Sequence, residues 1–164
     1  MTASKHRVAP SLGSVEQEAE PRHQALRDLY AYWLAKKGTR RAPPRSAIQP
    51  EELVPLLPNL ALVNVIGNPP RFRFRLFGTA LAAAYGQDLT GKFFDEVDLD
   101  FVGEEILGGA AEVVRDCSIS IVRSRFTKHR DGRHVEYERI TLPLSDDGHT
   151  VNMLLCGYAV EKAY

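Results

Sequence analysis

From Arg71 to Phe77 the chain alternates charged and apolar side chains, Arg71-Phe72-Arg73-Phe74-Arg75-Leu76-Phe77, and then turns at Gly78-Thr79. Successive side chains of a strand point to opposite faces, so Phe72, Phe74 and Leu76 fall on one face and Arg71, Arg73 and Arg75 on the other. One face of this strand must therefore be core. Thr79 suits an N-cap, the alanine-rich stretch to Tyr85-Gly86 makes a helix of a turn or two, and Asp88-Leu89-Thr90-Gly91-Lys92 is a second turn punctuated by glycine. A strand that feeds compact helices, with more strands to follow, is how a sheet acquires a lidded pocket. The pattern points to sensing rather than to a recognisable catalytic centre.

The flanking segments supply the rest of the sheet. Leu60 to Ile66 is an apolar run closed by Gly67-Asn68-Pro69-Pro70, so 60–66 and 71–77 form a hairpin. Ser118 to Lys128, Arg133 to Leu144 and Thr150 to Val160 are three further strand-like runs. Asp131-Gly132 and Asp147-Gly148 separate them, and such pairs readily supply positive φ in tight hairpins. Between the two groups of strands, Phe101 to Arg115 makes a helix with Ile106, Ala110, Val113 and Val114 on its apolar side. Gly103, Gly108 and Gly109 each weaken it by about 1 kcal/mol relative to alanine, and close packing on the sheet is the simplest use for them. The fold class is α+β: a five-stranded antiparallel sheet built as two strands, helices, then a three-strand meander.

Residues 1–20 lack periodicity and mix Ala, Ser, Gly, Pro and Glu, the composition of a flexible tail. From 22 to 37 the spacing changes to that of an amphipathic helix, with Leu26, Leu29, Tyr30, Trp33 and Leu34 on its stripe, Pro21 at its start and Lys36-Lys37-Gly38 at its end. The stripe has two uses, packing on the domain's own sheet or forming a dimer interface, and one helix could serve both.

A length of 164 residues with 44% hydrophobic content suffices for one good core, so 21–164 is expected to be a single domain. Twenty-one basic residues balance 21 acidic ones, which removes any overall field that would draw in nucleic acid or an acidic membrane. Cys117 and Cys156 stand far apart with no CxxC spacing, which argues against a disulfide scaffold or zinc site. The N-terminus leads into no hydrophobic run and no stretch is long enough to span a bilayer. A cytoplasmic protein is expected.

Few motifs carry chemistry. GxSxG, HExxH and phosphate-binding glycine loops are absent. His129 and His134 would face each other across the Asp131-Gly132 hairpin, but no acid or cysteine completes a metal set, and surface histidines are the simpler reading. The connector from Gly38 to Pro58 is rich in arginine and proline, yet Lys36, Lys37, Arg40, Arg41 and Arg45 come without a helix-turn-helix or an aromatic-basic platform, so no nucleic-acid partner is expected. These basic residues and the acidic run Asp95, Glu96, Asp98, Asp100, Glu104 and Glu105 are expected to be two solvated faces, with docking between protomers or onto a charged partner as the alternative.

Three segments together resemble the PAS-type domain family found as small stand-alone proteins in alphaproteobacteria: Pro50 to Leu60, Phe72 to Lys92, and Leu142 to Gly148. The likeness runs from about Leu26 to Val160, and Phe74-Arg75-Leu76-Phe77-Gly78-Thr79 with Asp88-Leu89-Thr90-Gly91-Lys92 is its most specific part. It implies a PAS fold and a sensory or regulatory module that acts through protein-protein interaction. Flavin-adduct photosensors of this family need an Asn-Cys-Arg motif on the helix after the second strand, and no cysteine precedes Cys117. Haem sensors need an axial histidine on the long helix, and Phe101 to Arg115 has none. No cofactor is expected, whereas an unidentified small ligand between sheet and helices is compatible with the pattern.

The walls of such a pocket would come from Tyr85, Phe93, Phe94, Ile106, Val113, Ile119, Ile121, Tyr137 and Met153, each of which serves equally as plain core. Arg75 lies between core positions and close to Asp88, so it would pin the strand to the following turn as an arginine-carboxylate pair, or anchor a ligand carboxylate. The expectation is a non-enzymatic regulator, homodimeric through the Leu26 to Leu34 stripe, with an unknown regulatory protein partner. The competing readings are an enzyme of unrecognised type using the same pocket and a purely structural dimerisation module.

Overall fold

In a computed structural model of the chain, residues 16–17, 20–97, 104–127 and 132–163 are described. Their strands β1 (Glu16–Gln17), β2 (Leu60–Ile66), β3 (Arg71–Phe77), β4 (Ser120–Thr127), β5 (His134–Leu144) and β6 (Met153–Ala163) form one antiparallel sheet in the order β1-β4-β5-β6-β2-β3. Helices α1 (Gln24–Lys37), α2 (Thr79–Tyr85) and α3 (Glu104–Asp116) pack around it. The β2–β3 hairpin and the β4–β5–β6 meander are those the pattern predicts, and they join through β2 against β6. No helix among the described residues is long and apolar enough to cross a membrane.

Several local expectations give way. The expected 1–20 tail contributes a sixth strand, because Glu16 and Gln17 pair with Arg123 and Val122 of β4. An edge strand offers open N–H and C=O groups to any extended backbone, whatever its side chains. Helix α1 starts at Gln24 rather than 22, since the N–H groups of Arg22 and His23 donate instead to the Glu138 carboxylate at 2.8 and 2.9 Å. Thr79 is the first residue of α2 and Gly78 its N-cap. The last hairpin is the loop 145–152 rather than a tight Asp147-Gly148 turn. Asp147 Oδ1 there accepts from the N–H groups of His149 and Thr150, both at 2.7 Å, and these donors pull its carboxyl down to about 2.

The most consequential correction lies in β3. Val63 pairs with Phe74 but Leu62 with Leu76, so Arg75 is the extra residue of a β-bulge. Beyond the bulge the alternation inverts: Phe77 is 4% exposed and enters the core, while Leu76, expected beside Phe72 and Phe74, is 43% exposed.

The sheet separates two apolar layers. Its inner face, under α2, α3 and the single-turn helix Phe94–Glu96, buries Phe72, Phe74, Phe77, Leu81, Tyr85 and Leu154. The outer face, under α1 and the connector, buries Leu26, Leu29, Trp33, Ile48, Leu142 and Leu155. Helix α1 is fitted to that outer face in three ways. Its Leu29 and Leu26 rest on Gly157 of β6, where an added Cβ would lie 2.5 and 3.1 Å from their Cδ2 atoms. Trp33 Nε1 donates to the Pro143 carbonyl at 2.9 Å. The wholly buried Glu138 carboxylate receives the two N–H groups that precede the helix, an arrangement that also suits the positive end of its dipole.

Gly157→Ala is expected to lower stability by about 1–3 kcal/mol, because the new methyl would lie 2.5 Å from Leu29 Cδ2 and push that leucine off the sheet. The check is the melting temperature together with the emission of Trp33; a variant that melts and emits like the parent would contradict this account of the α1 seat.

Candidate functional site

The inner face of the sheet is where chemistry gathers. Alternation along β5 directs Tyr137, Arg139 and Thr141 inward and Glu138, Ile140 and Leu142 outward. Across the ladders the inward set neighbours Ser120 and Val122 of β4 and Cys156 and Tyr158 of β6. Helix α3 closes over it. A Cβ built on Gly109 would lie 3.7 Å from Arg139 Nη2 and 3.8 Å from Ser120 Oγ, which places both polar groups directly beneath that glycine.

Arg139 is the unusual member. It is 3% exposed, and its Nε and Nη1 have no hydrogen-bond partner among the described residues. A guanidinium cannot shed its charge by deprotonating, and an unpaired buried charge costs several kcal/mol. Its neighbours do not neutralise it. Burial pushes the Cys156 thiol up to about 11 and raises the Tyr158 phenol, the Arg139 charge only partly offsetting both. Cys156 Sγ is within 4.0 Å of Thr141 Oγ1, and the Tyr137 and Tyr158 rings lie 5.9 Å apart. The site is thus an apolar, aromatic interior with one fixed positive charge.

The expected pocket residues divide between the two faces. Tyr85, Phe94, Val113 and Tyr137 belong to the inner layer. Ile119, Ile121 and Met153 belong to the outer one and cannot share a wall with them. The reason is that the central stretches of β4, β5 and β6 are buried on both faces, so a period of two does not say which face is which. Phe93 is half-buried at the rim, its ring 3.9 Å from the Arg71 guanidinium, which also holds Asp95 at 3.0 Å. The side chain of Ile106 lies outside the described residues, as does His129 of the considered histidine pair. No group of three or more His, Cys, Asp or Glu that could hold a metal occurs among the described residues.

Arg75 does not pin β3 to Asp88. The bulge turns it to the exposed surface, and Asp88 instead accepts from the N–H and hydroxyl of Thr90 at 3.0 and 2.7 Å, which lowers its carboxyl. Arg75 stands with Arg45 at an apolar groove of about 520 Å³ between the connector and β2–β3, floored by Leu60, Leu62 and Leu155. Of the expected dimer stripe, Leu26, Leu29 and Trp33 are buried against the chain's own sheet, Tyr30 stacks on Trp33 half-buried, and Leu34 is exposed.

The residues that the pattern did not single out are Arg139 and Glu138. Their signal is partial: two adjacent charges between Tyr137 and Ile140 must face opposite sides of a strand, and only the pairing of β5 on both edges makes that strand a central one.

The architecture, an antiparallel sheet with α2 and α3 between β3 and β4 and with α1 on the far face, agrees with what a family comparison finds. The PAS domain family model matches residues 21–159, from just ahead of α1 to within β6. No curated protein matches the chain. With 139 of 164 residues matched (159 − 21 + 1), and with the fold in accord, the chain belongs to the PAS domain family.

Proposed function

We propose that the chain is a sensory and regulatory module in which a small ligand, held between the inner face of the sheet and α2–α3, alters the seating of α1 on the outer face. PAS domains are generally sensory rather than catalytic, and no catalytic step is assigned to this one. The observation that carries the proposal is the division of labour on β5: Arg139 faces the interior while its neighbour Glu138 holds the start of α1. A change in strand position felt at one residue is felt at the next. The seat of α1 also has room for movement, because a gap of about 290 Å³ lies between the helix and the connector, bordered by Leu26, Leu29, Leu56 and Leu60.

The output would be a surface. Tyr30 and Leu34 remain accessible on α1 after the rest of its stripe is buried, and they are the residues to engage a second copy or a regulatory protein in the cytoplasm. No haem or flavin adduct takes part in this reading, for want of the histidine and cysteine that the family's sensors of those kinds use.

Native mass spectrometry of freshly purified protein is expected to find a small molecule that unfolding and refolding removes. Hydrogen exchange in residues 24–37 is expected to differ between the two preparations. Identical masses and identical exchange in α1 would contradict the proposal. Separately, the double variant Tyr30→Glu, Leu34→Glu is expected to halve the mass measured by light scattering if self-association uses this face, and an unchanged dimeric mass, or a parent chain that is already monomeric, would remove the dimer from the account.

A further inference from the structure

We propose that the interior ligand is a small monocarboxylate with an apolar or aromatic body, its carboxylate seated on the Arg139 guanidinium beside Gly109 of α3. This rests on the reading of the interior as a ligand site and goes beyond it by naming the chemistry.

Three independent observations converge on this point. Arg139 is the only cation among the buried described residues, and two of its nitrogens lack partners. The buried anion nearest in sequence, Glu138, is on the opposite face and already accepts two N–H groups. A single permanent charge is balanced by a single negative charge; a dianion such as phosphate would bring a second one with nothing to meet it.

Gly109 is the second observation. It lies within α3 and has no positive φ, and an added Cβ would make only ordinary contacts, so neither backbone conformation nor close packing requires a glycine there. It nonetheless weakens the helix relative to alanine. What the glycine does is keep an α3 side chain off Arg139 Nη2 and Ser120 Oγ, since an alanine methyl there would sit in contact with both donors that a carboxylate would use.

The third is the character of the surroundings. Tyr85, Val113, Tyr137, Leu154 and Tyr158 supply an apolar and aromatic wall on the same face. Beside the charge stand the neutral hydroxyls of Ser120 and Thr141, both buried. Such a mixture favours a ligand with one charged end and an unpolar remainder.

The test uses the full chain stripped by unfolding and refolding, titrated with phenylacetate, octanoate, the neutral isostere phenylacetamide and inorganic phosphate. Melting temperature and calorimetry are the readouts. Phenylacetate or octanoate is expected to raise the Tm with concentration, and phenylacetamide and phosphate are expected to leave it unmoved. Arg139→Met should weaken carboxylate binding about a hundredfold, yet its ligand-free Tm should equal or exceed the parent's, because an unpaired buried charge has been replaced by an apolar chain of similar length. Gly109→Ala should raise the ligand-free Tm and weaken the carboxylate response together. A wild type unmoved by both carboxylates overturns the inference, as does an Arg139→Met chain whose ligand-free Tm falls, or a response to phosphate or phenylacetamide equal to that of phenylacetate. A neutral molecule released from the purified protein would also overturn it while leaving the sensing proposal intact. Carboxylate binding with unchanged exchange in α1 would do the reverse.

Discussion

Strand β5 is hydrogen-bonded on both edges and, from Tyr137 to Leu144, covered on both faces, so each side chain there must commit to one of two buried layers. Everything else in the molecule is arranged around that constraint. Helix α3 closes one layer and α1 the other, and the only two charged residues in the central part of the strand, Glu138 and Arg139, are sent in opposite directions. Glu138 is satisfied by the backbone at the start of α1. Arg139 leaves its Nε and Nη1 without a partner among the described residues, although burial alone penalises it as heavily. The proposed ligand site rests on this asymmetry between neighbours.

The rigidity of this arrangement comes from packing more than from charge. Gly157 lets α1 approach β6 so closely that the leucines of the helix lie in the sheet surface, and Gly78 performs the same service for α2, since a Cβ there would overlap the Pro58 carbonyl. Around the start of α1, Glu161 holds Arg123 through two contacts of 3.0 and 2.7 Å and the His23 ring at 3.1 Å, with the arginine chiefly responsible for its lowered carboxyl. These partly exposed pairs fix orientation and contribute little stability. They tie the entry to α1 to β4 and β6 beside Glu138.

The sheet was legible from the sequence because its strands are bounded by strong turn residues and its two hairpin strands carry a clear period. Other features lay beyond that kind of reading. A bulge at Arg75 leaves no mark in a local pattern, since it is set by how β2 and β3 pair, and it reversed the sides of Leu76 and Phe77. In the central stretches of β4 to β6, where both faces are buried, alternation identifies two sets without naming them, which is why Ile121 and Met153 were grouped with Tyr137. The short strand Glu16–Gln17 arises from an open sheet edge and not from its own side chains. Arg139 was passed over for a different reason. Its burial follows from the depth of the meander, because a charge at that position of a strand paired on both edges is covered on either face.

The central claim, that the two faces of the sheet are mechanically linked through β5 and β6, can be tested with a probe the protein already carries. Trp33 is the only tryptophan and lies on α1 against the outer face, bonded to Pro143. Its emission should be followed while stripped protein is titrated with phenylacetate or octanoate. The account expects a spectral shift that saturates at the same concentration as binding and is absent in Arg139→Met; saturable binding with Trp33 emission unchanged would contradict it.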